Sequence, residues 1–196
     1  MDGGGESFIH KVVLLVITAG LTGLVIPIVN TQISEERSRR AELDAALVAR
    51  KTSIIHSQEE YLHDLEETLF EFNMHAAAVP WYRCAQIDDA KYAEARDAYD
   101  KEAWKFWQRM LVLMSKGRRL TSDKAFQAVK AHRTSWEHLD RDLIKMMGTP
   151  NVTKDDWCKM LDRVNDQAEA SAALIDTLSI DYGLGGDHHA RVGDKR

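Results

Sequence analysis

The chain has 196 residues, enough for one domain with an appendage and too few for two full-sized cores. Hydrophobic residues make up 44% and charged residues 29%, and the formal net charge is -5, which excludes a chain that is basic overall and leaves any nucleic-acid contact to a local stripe. Three prolines and 11 glycines supply too few turns for an all-β chain, so the expected fold class is all-α.

After a short N-terminal segment, 1–7, residues 8–29 read FIHKVVLLVITAGLTGLVIPIV, uncharged from Val12 onward for the length a membrane-spanning helix needs. A cleavable signal peptide would have a shorter apolar region and a small-residue cleavage site, whereas this run leads straight into ISEERSRRAELDAAL, so 8–30 is read as an uncleaved transmembrane helix. Lys11 stands alone before the span, while Arg37, Arg39, Arg40, Arg50 and Lys51 follow it. That asymmetry predicts a single-pass protein of the cell inner membrane with a cytoplasmic body; a long domain translocated despite its charge is the alternative. Ala19, Gly20 and Gly23 allow close approach of helix backbones, and Thr18 and Thr22 lie one turn apart, so the span is a candidate for homo-oligomer packing and for lining a pore. The plainer reading bonds both threonines to their own helix. Pro27 is expected to bend the span near its end.

Four helical segments follow in the 31–182 stalk and bundle region, over 34–78, 88–116, 122–147 and 154–181. Leu62, Leu65, Leu69 and Phe72 step by three and four, as do Tyr99, Ala103, Phe106, Met110 and Leu113. Phe126, Val129, Trp136, Leu139 and Leu143 continue the pattern, and Trp157, Leu161, Val164, Ala168, Ile175 and Leu178 complete it. Short links make neighbours antiparallel, so the architecture expected is a transmembrane helix, a stalk and an antiparallel four-helix bundle. Pro80 is expected to stop the first helix, Gly117 with Thr121 and Ser122 to separate the second from the third, and Thr153 with Asp155 and Asp156 to cap the fourth. Residues 183–196 lack periodic apolar positions and read as a flexible tail.

Antiparallel tracing brings Cys84 and Cys158 to the same end of the bundle, where a disulfide suits an oxidising compartment and reduced thiols suit the cytoplasm. Glu60 and His63 have the spacing of a di-metal bundle ligand pair, but no second such pair follows, so no metal and no other cofactor is expected. No phosphate loop, dinucleotide fingerprint or nucleophile elbow occurs, and the chain is not read as an enzyme. The chemically suggestive feature is basic. Lys101, Lys105 and Arg109 recur every four residues, leading to Lys116, Arg118 and Arg119, with Trp104 and Trp107 interleaved and Lys130 and Arg133 available to extend the patch. Cations beside aromatic rings suit an oligonucleotide or nucleotide; the competing reading pairs these cations with nearby carboxylates and buries the tryptophans.

A span ending LTGLVIPIV, the basic run ERSRRAELDAALVARK and the segment LEETLFEFNMHAAAVPWYR together resemble bacterial single-pass membrane proteins with helical cytoplasmic bodies. The layout loosely resembles the channel effector of Hailong-type anti-phage defence systems. That resemblance implies a homo-oligomer whose spans make a pore, held shut by a nucleic-acid ligand on the cytoplasmic body. The alternative is a single-pass sensory, signalling or scaffold protein whose bundle binds a protein or small ligand.

Overall fold

A computed structural model of the chain describes residues 26–184, with side chains from 31 onward. Four helices in chain order, α1 (Ile26–Cys84), α2 (Asp89–Leu120), α3 (Asp123–Met147) and α4 (Lys154–Asp181), make the described part all-α. None of the described helices is long and apolar enough to cross a membrane. The expected span lies outside the described residues apart from the backbone of 26–30, and with it lie Thr18, Ala19, Gly20, Thr22 and Gly23; Pro27 enters α1 as backbone only.

The chain divides into two units, 1–53 and 54–196. In the first, the described part is α-helix with every side chain from 31 to 53 exposed, Leu43, Leu47 and Val48 included. The second is the bundle. Gln58 donates to the Leu120 carbonyl at 2.9 Å near one end of the α1–α2 pair, and Arg109 meets Glu71 further along, so the two run antiparallel. Ser122 with Asp181, His132 with Ser171 and Arg163 with Asp142 trace the antiparallel α3–α4 pair. All four helices contribute to one apolar core that includes Leu65, Phe72, Tyr99, Met110, Trp136, Val164 and Leu178. The periodic positions are buried as the three-and-four spacing requires, with Phe126, Ala168 and Ile175 only partly covered.

Three boundaries differ from the sequence expectation. Pro80 does not stop α1, which runs on to Cys84, because a proline four residues from a helix end forfeits one backbone bond while the next turn still forms. Gly117 is inside α2 and does not break it. A Cβ on Gly117 would stand 2.5 Å from the Tyr61 hydroxyl, so this glycine serves close approach of α1 and α2. Residues 183 and 184, expected to open the tail, still belong to the end of α4. Gly183 takes a positive φ of 72°, its N–H donates to Ile180, and the Leu184 N–H donates to Ser179 at 2.9 Å, a Schellman closure in which Leu184 packs on the core. Thr153 and Asp156 cap α4 reciprocally, as expected.

Gly117→Ala is therefore expected to destabilise the bundle by about 1–2 kcal/mol, since overpacking at the Tyr61 tip outweighs the better helix propensity of alanine. In a Tyr61→Phe background, which removes the nearest and unpartnered hydroxyl but leaves the ring Cζ 3.0 Å from the added Cβ, the same change is expected to cost clearly less. Urea unfolding of the four proteins checks this coupling, and equal effects of Gly117→Ala in both backgrounds would contradict it.

Candidate functional site

The basic stripe on α2 is tied to α1 at two points. Lys116 reaches Asp64 at 2.9 Å, Arg109 reaches Glu71 at 2.5 Å, and Lys105 reaches Glu102 at 2.6 Å along its own helix. The Lys105 ammonium, through its hydrogen bond, holds the Glu102 carboxyl below its ordinary range. Arg119 turns back to the Ser115 carbonyl at 3.4 Å, while Lys101 and Arg118 are exposed. Lys130 is exposed as well, and Arg133 is partly covered with its Nε buried and without a hydrogen-bond partner. Trp104 is 68% exposed, but Trp107 is partly buried and donates its indole N–H to Asp140 at 3.2 Å. Tyr99 donates to the same carboxylate, and burial, then the Asp140 charge, push its hydroxyl far above the usual tyrosine range. The stripe thus splits: two of its six cations, Arg109 and Lys116, and one of its two rings, Trp107, belong to helix packing.

A buried polar network crosses α3 and α4. Ser171 gives its proton to the Gln167 carbonyl at 2.9 Å, so the His132 Nε2–H donates to Ser171 Oγ at 2.9 Å and Nδ1 accepts from the Gln167 amide at 3.3 Å. The Gln167 side-chain oxygen accepts from Ser135 at 2.7 Å, and the Trp136 indole N–H points at Ser171 Oγ at 3.4 Å. Every member has a partner, which is the condition for a buried network to add specificity to a core.

Burial pushes the His132 imidazole down to about 4 from the usual 6.5. A depressed histidine favours the folded state above the unfolded value and loses that contribution as pH falls, here between roughly 6.5 and 4. The loss is expected to approach about 3 kcal/mol at the acid end. Urea unfolding at stepped pH checks it: His132→Gln should flatten the slope across that window, and an unchanged slope would contradict the assignment.

His56 lies 3.2 Å from Glu60 on the exposed side of α1, so Glu60 belongs to a surface pair and does not join His63. Among the described residues no group of three or more histidines, cysteines or carboxylates converges as a metal site.

At the end of the bundle where α1 stops, Cys84 and Cys158 form a disulfide with their Cα atoms 4.9 Å apart. Beside it lies a cleft of about 390 Å³ whose lining includes Arg83, Tyr92, Arg96, Asn151, Lys154 and Trp157. The Arg83 guanidinium sits over the Tyr92 ring at 3.9 Å from its centroid and reaches Asp89 at 2.5 Å on its other side. Tyr92 in turn packs edge-on against Trp157, with centroids 5.7 Å apart. The sequence reading missed this cleft. Its cations come from three different helices, and the sequence carries no pattern that joins them, although Arg83 and Trp157 directly precede Cys84 and Cys158. Compared with family models, curated proteins and solved structures, the chain matches none.

Proposed function

We propose that this chain is a membrane-anchored, self-associating helical-bundle protein in which the bundle receives a ligand or partner and α1 passes the outcome to the apolar N-terminal segment. The observation that carries this reading is α1 itself. The helix that supplies Leu65, Leu69 and Phe72 to the bundle core also holds residues 31–56 exposed, among them Leu43, Leu47 and Ile54. A lone helix with such a row in water is marginal, and the four- and seven-residue steps of these three positions suit the seam of a coiled coil with further copies. In such an assembly Ala19, Gly20 and Gly23 pack span against span, Thr18 and Thr22 face the axis, and the spans permeabilise the inner membrane when the cytoplasmic bundle changes state, as the resemblance to anti-phage channel effectors implies. In this reading the bundle acts as the gate.

The Cys84–Cys158 disulfide favours a second reading, in which the body faces an oxidising compartment and the chain is a sensory, signalling or scaffold module. The basic flank of Arg37, Arg39, Arg40, Arg50 and Lys51 argues for the cytoplasmic side. C-terminal fusions to alkaline phosphatase and to a fluorescent protein separate the two, read together with a potential-sensitive dye in cells expressing the untagged chain. The channel reading predicts a fluorescent, phosphatase-negative C-terminus and depolarisation; an inserted protein that never depolarises the membrane contradicts it, and an active phosphatase fusion selects the second.

A further inference from the structure

We propose that the cleft beside the disulfide is a binding site for a small organic oxyanion, a phosphate or carboxylate carried on an apolar or aromatic group. The argument is charge balance. Among the clefts that the described residues form on the bundle, one is lined by Asp64 and Glu67 against Arg109 and Lys116, and a second by Glu137 and Asp140 against Arg133 and Arg141. A third sets Asp142 and Asp156 against three cations, and a fourth holds only the acids Glu66 and Asp176. The cleft beside the disulfide holds Arg83, Arg96 and Lys154 with no carboxylate in its lining. Asp89 neutralises part of Arg83 from outside, which leaves Arg96 and Lys154, both exposed, as the cations an incoming anion would meet.

The rest of the wall suits the other half of such a ligand. Tyr92 and Trp157 are buried and fixed edge to face, and Met146, Met147 and Val152 supply partly buried apolar surface. At about 390 Å³ the space falls within the range of small-molecule sites, which join an apolar wall to a few placed polar groups. Arginine presents a planar fork to an oxyanion and lysine a point charge, so the pair recognises charge without requiring one oxyanion geometry. The disulfide ties the end of α1, which carries Arg83, to the first turns of α4, which carry Lys154 and Trp157, and so holds two walls of the cleft together. This site deepens the reading of the bundle as the receiving module, and its test needs no bilayer.

The test is isothermal titration of the full chain in non-ionic detergent at low salt with phenyl phosphate, with phenyl glucoside as the neutral counterpart. Saturable binding of phenyl phosphate is expected, with phenyl glucoside at least tenfold weaker. The Arg96→Ala/Lys154→Ala variant, altered at two exposed positions, should weaken phenyl phosphate at least tenfold. Lys105→Ala/Arg109→Ala, altered in the α2 stripe, should stay within twofold of the parent. Absence of saturable phenyl phosphate binding, equal binding of the glucoside, or a loss confined to the stripe variant would each overturn the proposal. Failure of the membrane reading would show instead as chain recovered without detergent, and the titration would be read on that material unchanged.

Discussion

Cys84→Ser is expected to cost the bundle about 4 kcal/mol, the largest single effect of any change at its surface. The disulfide closes a loop with a sequence separation of 74, and the entropy of closing so long a loop is removed from the unfolded chain. The melting temperature should fall by about 10 °C, and reduction of the parent protein should reproduce the shift. Calorimetry of the oxidised, reduced and Cys84→Ser proteins checks this; three coincident melting curves would mean that the cross-link holds nothing. The result also bears on topology, because a bundle that depends on its disulfide is suited to an oxidising compartment, and one indifferent to it is at home in the cytoplasm.

Phe72→Ala is expected to cost a similar amount, about 4 kcal/mol. Phe72 stacks on Phe106 with centroids 3.8 Å apart and meets Trp136 edge-on at 5.0 Å and Tyr99 at 5.6 Å, so its removal opens a cavity among rings from α2 and α3 at once. Phe70, two residues earlier on the same helix, is exposed, and Phe70→Ala should stay within about 0.5 kcal/mol. Urea unfolding of both variants provides the comparison, and comparable losses would contradict the assignment of Phe72 as the centre of the core.

The contrast between Phe70 and Phe72 shows what the sequence made legible. A helix buries one stripe, and the three-and-four spacing from Leu62 to Phe72 identified that stripe without any knowledge of its partners. Antiparallel tracing likewise brought Cys84 near Cys158, because short links leave few ways to arrange four helices. Local rules failed where a distant residue overrode them. Gly117 reads as a helix stop until Tyr61, 56 positions earlier in the chain, is seen to occupy the space of its missing side chain.

The candidate site was less legible for the same reason. Lys105, Arg109 and Lys116 form an obvious row on one helix, but Asp64 and Glu71, which neutralise two of them, are invisible to a periodicity argument because they come from α1. His132 carries no sequence mark of its buried network, whose partners Gln167 and Ser171 lie on the next helix. Arg83, Arg96 and Lys154 stand alone in sequence and converge only when the ends of α1 and α4 are tied together beside α2.

The central claim is that the chain is held in a bilayer and associates there with its own copies. The direct measurement is the mass of the full chain extracted from membranes in lipid nanodiscs. The account predicts membrane-bound protein released only by detergent or an equivalent, with a protein mass that is a multiple of the 22.3 kDa chain. A single copy per particle would contradict the self-association, and recovery of the full-length chain from salt-washed cells as a free monomer would contradict the anchor as well.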